Sequence, residues 1–384
     1  MFILMISRGI PSAKHPHWGC FEKDQAEALA SIGHKVVVLS VDGRFLLERQ
    51  KIGLTRQTIN NVEYYNYHLY PHKITDIFSH KLTLHIINLI IKHLYKKVIK
   101  QHGQPDVIYG QMFMNTLKGV CLSKKYNIPL VGIEHLGRFN EEKLNHWGTT
   151  HSDALYAYNN VHASICVSER LRQSLLKHFN RDSYVVYNVV GNEFHYKEHK
   201  NTTFTIISTG RLVYGKGYDL LIESLSKIKE NLPKDWRAII IGEGNFKEDL
   251  QAIISKHNLQ ENIQLIGKKS KLEIVELLQQ SAMFVLPSRN ETFGVVYIEA
   301  LACGVPVIAT DCGVPPEIVT PENGLFIPKE NVDALSSAIS YMAQNINQYN
   351  RKAIAEDCQA RFSSEVIAKQ LTHIFEETIK NYKK

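Results

Sequence analysis

Long apolar runs are missing from this 384-residue chain: none approaches the roughly 20 residues that a membrane-spanning helix needs. The first apolar stretch, Phe2-Ile-Leu-Met-Ile6, is too short for the core of a secretory signal and has no basic lead-in. It is expected to be a first buried strand. Cysteine is sparse too: the six positions, 20, 121, 166, 303, 312 and 358, show no paired spacing of the metal-binding kind. That spacing speaks against a structural zinc site and leaves reduced, buried thiols of a cytoplasmic protein as the expectation. No D-x-D pair, no G-x-S-x-G element and no metal-spaced His/Cys cluster occurs, and neither does a tandem repeat or a low-complexity stretch.

What is present has ordinary globular proportions, 44% apolar and 22% charged residues, in a chain long enough for two domains with separate cores. The net charge of +7 is unevenly spread. Residues 1–190 hold 23 Lys and Arg against 14 Asp and Glu, and 14 of the 18 histidines; the remainder holds 22 against 24. A basic half joined to a near-neutral half is expected to turn one face toward an anionic surface or substrate.

Two series of alternating strands and helices follow one another. In the first, Phe2–Ile6, Lys35–Ser40, Val107–Tyr109, Leu130–Ile133, Ala163–Val167 and Tyr184–Val186 read as strands, with helices over Phe21–Ser31, Leu82–Lys100 and Met114–Lys125. Residues 191–203 are polar and without period, a linker. In the second, the strands are Phe204–Ser208, Ala238–Ile241, Ile263–Ile266, Met283–Leu286, Val307–Thr310 and Gly324–Ile327. Its helices are Tyr218–Lys229, Lys247–His257, Lys271–Gln280, Val295–Cys303 and Asn331–Gln344. Each series predicts a doubly wound parallel sheet. The expected domains are 1–190 and 191–363, and a helix over about 364–384 is expected to cross back to the first. Ligand is expected at the carboxyl ends of the strands, in the crevice between the sheets.

The most informative segment is Ser288-Arg-Asn-Glu-Thr-Phe-Gly-Val-Val-Tyr-Ile-Glu299. It runs from a buried strand through an acidic loop and Gly294 into a helix N-terminus, where free N–H groups and the helix dipole attract anions. Glu291, just before that anion site, suits hydroxyl groups attached to a phosphate rather than the phosphate itself. Gly210-Arg-Leu-Val-Tyr-Gly-Lys-Gly217 places Arg211 and Lys216 at the mouth of another helix, a fork-shaped donor and a point charge suited to a diphosphate. Its spacing matches most of a P-loop, but Gly217 stands where that motif needs Ser or Thr, which argues against a triphosphatase. A capped turn with two solvated cations is the plain alternative. Gly242-Glu-Gly244 ends a strand and reads more readily as an ordinary turn than as a nucleotide contact.

In the first half, His15-Pro-His-Trp-Gly-Cys20 forms the loop before the first helix, where Gly19 either admits a ligand or serves a plain turn. His135, at a strand end, is either structural or a partner for a sugar hydroxyl or a proton. The helix Leu82–Lys100 has an apolar stripe and a crowd of Lys and His at its end. Two readings stay open for it, a helix resting on anionic lipid or an amphipathic helix with a basic outer face.

The order Gly210-Arg-Leu…Lys216-Gly217, Gly242-Glu-Gly244, Pro287-Ser288…Glu291-Thr-Phe-Gly…Glu299-Ala…Gly304-Val-Pro-Val307 resembles the retaining glycosyltransferases of family 4. The first half is similar more loosely, through Trp18-Gly-Cys20, Gly33-His34, Glu134-His135 and Val186-Tyr-Asn188. The resemblance implies the α/β GT-B fold, two Rossmann-like domains facing across a cleft. It implies transfer of a hexosyl or N-acetylhexosaminyl group from a UDP- or GDP-sugar to a saccharide acceptor, free or lipid-linked, in surface polysaccharide biosynthesis. No metal, no further cofactor and no nucleic acid is implied, and a cytoplasmic enzyme, peripheral on the membrane, is.

The resemblance further implies that Arg211 and Lys216 hold the donor diphosphate, that Glu291 contacts the donor sugar and that Glu299 binds the ribose. His135 would lie near the sugar in transfer, with Glu291, Arg211 and Lys216 completing the catalytic set. Gly19, Gly242, Thr292, Phe293, Gly294 and Val295 would line the donor, and Trp18 and Arg138 the acceptor. Two rival readings are a sugar-nucleotide epimerase of the same architecture and a non-catalytic nucleotide-sugar-binding subunit.

Overall fold

The computed structural model describes residues 1–12, 18–42, 52–69, 80–140, 149–198, 203–313 and 316–383. By its internal contacts the chain divides into two compact units, Met1–Val189 together with Ser364–Lys384, and Val190–Ser363.

The first unit is built on an eight-stranded sheet. In chain order its elements are β1 (Phe2–Ser7), α1 (Cys20–Ser31), β2 (Lys35–Asp42), β3 (Gly53–Ile59), β4 (Val62–His68), α2 (His80–His102), β5 (Val107–Gln111), α3 (Met112–Tyr126), β6 (Leu130–Glu134), α4 (Thr149–Asn159), β7 (Ala163–Cys166), α5 (Glu169–Phe179) and β8 (Tyr184–Val185). The strand order is β3-β4-β2-β1-β5-β6-β7-β8. Every neighbouring pair is parallel except β3 with β4. All six residues of β1 are buried, as suits a central strand covered on both faces.

The β3–β4 hairpin is absent from the alternation read in the sequence. β3 carries Thr55, Arg56, Gln57 and Thr58 outward on a sheet edge, so it lacks the apolar run that marks a buried strand. Its signal is the turn. Asn60 and Asn61 both adopt positive φ, 47° and 64°, joining Ile59 directly to Val62 in the two-residue turn that matches strand twist.

The second unit comprises β9 (Thr205–Thr209), α6 (Tyr218–Ile228), β10 (Arg237–Ile241), α7 (Lys247–Lys256), β11 (Ile263–Leu265), α8 (Lys271–Gln279), β12 (Met283–Leu286), α9 (Val295–Ala302), β13 (Val307–Thr310), β14 (Gly324–Ile327), α10 (Val332–Gln344) and α11 (Arg351–Phe362). Its six strands are all parallel, ordered β11-β10-β9-β12-β13-β14. The order reverses between β9 and β12, and the loops that leave their carboxyl ends carry Gly210–Gly217 and Ser288–Gly294. This is the switch point at which open α/β sheets take ligands.

The last helix, α12 (Ser364–Tyr382), belongs to the first unit. Its buried residues Ile367, Ala368, Leu371, Ile374 and Phe375 recur at three- and four-residue steps and so form one stripe. His34 Nε2 meets Thr372 Oγ1 at 2.7 Å, and the Phe375 ring lies edge-on to Tyr109 of β5 at 4.9 Å. On the opposite side of the sheet, Ile91, Leu94, Tyr95 and Val98 of α2 join Leu4, Ile6, Val37, Leu39 and Ile108 in one core. Among the described residues no disulfide forms; four cysteines are buried, whereas Cys20 and Cys121 are only partly so.

Because Phe375 is fully buried against Tyr109, Phe375→Ala is expected to lower the stability of the first unit by about 3–5 kcal/mol. Urea titration read by circular dichroism checks this.

Candidate active site

In the second unit, two loops are tied into one piece. The chain leaves β9 through Gly210, makes a single 3-10 turn over Tyr214–Lys216, and enters α6 through Gly217 at φ 69°. A Cβ at Gly217 would overlap the carbonyl oxygen of Pro287, so only glycine lets the two loops touch. Arg289 locks them. Its guanidinium meets Asp219 in two bonds of 2.9 and 2.7 Å, donates to the Tyr214 carbonyl at 2.7 Å, and lies 3.8 Å over the Tyr214 ring. Its backbone N–H donates to the Gly215 carbonyl at 2.8 Å. Sequence reasoning overlooked Arg289 and Asp219. They are seventy residues apart, and no spacing links them.

The clamp brings two of the expected site residues together. Lys216 Nζ pairs with Glu291 Oε1, and Ser288 Oγ donates to the same oxygen at 3.0 Å. Glu291 is fixed from behind by its own N–H, which donates to the Cys312 carbonyl at 3.1 Å. Thr310 Oγ1 donates to the Ser288 carbonyl at 2.6 Å and holds the start of the acidic loop.

Three residues past Glu291, Gly294 adopts φ 80° and caps α9. The first amides of α9 therefore have no intrahelical acceptor. Phe293 is buried against Phe362 and anchors the turn from below, while Tyr297 donates its hydroxyl to the Leu286 carbonyl at 2.6 Å. Thr292, Val295 and Glu299 are partly exposed. Arg211 is exposed and has no ion pair among the described residues, which leaves its charge available. Gly242 has a packing reason: a Cβ there would overlap the Gly210 carbonyl. An ammonium and an open helix N-terminus thus flank one carboxylate whose charge the ammonium balances, and a free guanidinium lies on the loop that carries the ammonium. This set can hold an anionic group and hydroxyls attached to it.

The expected residues of the first unit gather at the carboxyl ends of β1, β5 and β6. Trp18 donates its indole N–H to the Arg8 carbonyl at 3.2 Å and lies under the Arg8 guanidinium at 5.4 Å. Arg8 in turn makes a two-pronged pair with buried Glu22, 2.6 and 3.1 Å. Gly19 caps α1 at φ 73°, close under the Gly9 carbonyl. His15 and the rest of 13–17 lie outside the described residues, as does the Arg138 side chain. Sequence reasoning gave no role to Glu134. It is buried and takes four hydrogen bonds, from Tyr158 Oη at 2.7 Å and from the N–H groups of Phe113, His135 and Leu136. Burial raises its pKa, and these four bonds oppose the rise.

His135 is buried, its ring stacked on Phe21 at 5.8 Å, and Nε2 meets Gln111 Oε1 at 3.1 Å. Loss of solvation lowers its pKa to about 4, with Glu22 and Asn188 pulling it up and Arg8 down. Among the described residues no group of three His, Cys, Asp or Glu is placed to hold a metal ion. The imidazole binds a proton less readily folded than unfolded, so its contribution to stability is complete above about pH 6.5 and is lost as the pH falls toward about 4. His135→Gln is expected to flatten the loss of stability between those pH values by up to about 3 kcal/mol. Denaturant titrations at pH 7, 5.5 and 4.5 measure it.

Comparison with known proteins shows the family and the fold. The model of Glycosyl transferases group 1 matches residues 191–356, and that of Glycosyltransferase Family 4 matches residues 23–193. An uncharacterised glycosyltransferase of Methanocaldococcus jannaschii is 30% identical over 73% of this chain and 78% of its own length. A GDP-mannose-dependent monoacylated alpha-(1-6)-phosphatidylinositol monomannoside mannosyltransferase of Corynebacterium glutamicum is 31% identical over 46% of this chain, about half its own length at 48%. Among solved structures, sucrose-phosphate synthase from Thermosynechococcus elongatus aligns with a TM-score of 0.78 at 17% identity, covering 99% of this chain and 100% of that one. HepE of Anabaena, solved with UDP, aligns at 0.75 and 17% over 98% and 99%. These neighbours share the GT-B fold. With the two family models meeting near residue 191 and a relative aligned along most of both chains, this chain belongs to glycosyltransferase family 4.

Proposed function

We propose that this protein transfers a hexosyl or N-acetylhexosaminyl group from a nucleoside-diphosphate sugar to a saccharide acceptor, with retention of anomeric configuration and without a metal. The observation that carries the reading is the Lys216–Glu291 pair beside the open N-terminus of α9. In this reading Arg211, Lys216 and the amides of Gly294 and Val295 take the diphosphate, with Thr292, Phe293 and Gly242 shaping the turns around it. Glu291 takes the sugar hydroxyls and Glu299 the ribose, and His135 and Gly19 are also assigned to the donor. Trp18 and Arg138 are assigned to the acceptor. The bond from the anomeric carbon to the phosphate oxygen breaks, the acceptor oxygen bonds to that carbon from the same face, and the acceptor's proton passes to the departing phosphate. Charge grows on the phosphate as the bond breaks, and the fixed cations and amides stabilise it most at that point.

UDP is favoured as one donor base by the HepE complexes with UDP and UDP-glucose, and GDP by the mannosyltransferase relative. A lipid-linked acceptor is favoured by relatives named for phosphatidylinositol substrates, the mannosyltransferase and the gpi3 subunit of Schizosaccharomyces pombe, 30% identical over 48% of this chain and 42% of its own length. No helix among the described residues is long and apolar enough to cross a membrane. α2 offers a different route to lipid: Ile86 and Leu89 are 38% and 52% exposed, and Lys92, His93, Lys96, Lys97 and Lys100 follow them along the helix. Such a stripe fits an anionic bilayer surface, where surface polysaccharide precursors are built.

Incubation with UDP- and GDP-sugars and lipid-linked or free saccharides, followed by proton NMR of the anomeric signal, tests the reaction. A product with the donor's anomeric configuration is expected; an epimerised donor without transfer overturns the reading. Arg211→Ala with Lys216→Ala is expected to lower kcat/KM by about 100-fold or more. Wild-type turnover in that variant would remove the assigned roles. In vesicle sedimentation, Lys96→Glu with Lys97→Glu is expected to abolish a preference for anionic over zwitterionic lipid.

A further inference from the structure

The loop that carries Arg211 and Lys216 also carries a tyrosine to which the reading above gives no task. Tyr214 opens the 3-10 turn Tyr214–Lys216 and is 58% exposed. An exposed side chain ordinarily changes rotamer within nanoseconds. This one is pinned. The Arg289 guanidinium lies 3.8 Å from the ring centroid, over one face, and Phe246, from the loop between β10 and α7, meets the ring at near right angles at 5.8 Å. Arg289 is itself held in place. Asp219 accepts two hydrogen bonds from it, Glu330 Oε1 accepts one from Nε at 3.3 Å, and the Tyr214 carbonyl accepts another. A ring covered on both faces could not keep 58% of its surface in solvent, so the face away from Arg289 is open. At the next residue a Cβ added to Gly215 would meet nothing within 4 Å, so the turn is clear of neighbours there too.

What suits that face follows from its electrostatics. An aromatic ring is negative over its faces and positive at its rim. The guanidinium already draws on that negative density from one side. The opposite face is left less attractive to a second cation or to the C–H bonds of a sugar ring, and better matched to a flat heteroaromatic ring in offset stacking. A nucleobase is such a ring, and every base has a π face to offer. Position agrees with this. Tyr214 and Lys216 are two residues apart on one 3-10 turn, where the rise is about 2 Å per residue and three residues complete a turn. Their side chains thus leave one short turn in directions about a third of a turn apart. A nucleoside diphosphate held by Lys216 at its phosphates has its base one ribose away.

We propose that the open face of Tyr214, held rigid by Arg289, is the stacking platform for the base of the nucleotide donor. The proposal deepens the donor-site reading above and rests on it. Because stacking tolerates any base, Tyr214 supplies affinity for the nucleoside rather than a choice between uracil and guanine. Calorimetric titration of wild type, Tyr214→Ala and Tyr214→Phe with UDP, GDP and inorganic pyrophosphate tests it. Both variants keep the backbone carbonyl that Arg289 grips. Tyr214→Ala is expected to bind UDP and GDP about tenfold more weakly and pyrophosphate as the wild type does. Tyr214→Phe keeps the face and is expected to restore nucleotide affinity. In proton NMR the uracil ring protons of UDP are expected to move upfield on binding to the wild type and to Tyr214→Phe, but not to Tyr214→Ala, a ring-current shift that a merely structural role would not produce. Unchanged UDP and GDP affinity in Tyr214→Ala, an equal loss for pyrophosphate, or no upfield shift in the wild type overturns the stacking. Wild-type protein that binds neither nucleotide nor pyrophosphate overturns the donor-site reading instead.

Discussion

In the proposed reading Glu291 stands beside a phosphate, an electrostatic contradiction that the Lys216–Glu291 pair resolves. An isolated Glu291 would repel an anion at the N-terminus of α9. With the ammonium alongside, the pair is neutral as a unit and both members keep hydrogen-bonding capacity for a ligand. The rest of the second unit's site follows from holding these two side chains in register. They come from loops on opposite sides of the point where the strand order reverses, so something must join the loops. Gly217 under the Pro287 carbonyl and Arg289 between Asp219 and Tyr214 do so.

The first unit solves the opposite problem. Its polar groups, Glu22, Gln25, Gln111, Glu134 and His135, are buried beneath the strand ends. Burial costs each of them unless it is bonded. Most are bonded to one another or to backbone N–H groups at α3 and β6. The imidazole is kept neutral by the loss of solvent, so it offers direction rather than charge. The second unit thus holds fixed charge at its strand ends, and the first unit holds buried, bonded polar groups at its own.

Both sheets were legible because parallel strands covered on both faces leave continuous apolar runs, as in Phe2–Ile6 and Met283–Leu286. Glu291, Gly294 and Glu299 stood out because local spacing carries them: they lie within nine residues of one another. What escaped was of two kinds. The β3–β4 hairpin is a polar edge whose only mark is Asn60-Asn61. The Arg289–Asp219 clamp and the Tyr109–Gln25–Gln111–His135 chain join residues from different elements, and their meaning lies in three-dimensional approach, which periodicity does not encode. The Lys216–Glu291 pairing is intermediate: each residue was singled out, but for separate ligand groups rather than for each other.

The placement of α12 has a consequence for how the polypeptide is born. Since Val190–Ser363 is inserted within the sequence of the first unit, a ribosome finishes the whole second sheet before it releases Phe375 to cover Tyr109. The N-terminal sheet must wait, with one greasy flank uncovered, through about 170 further residues of translation, on the order of ten to thirty seconds. A nascent chain stalled at the close of that interval would carry a finished C-proximal sheet and an unsealed N-proximal one, the reverse of the usual vectorial order.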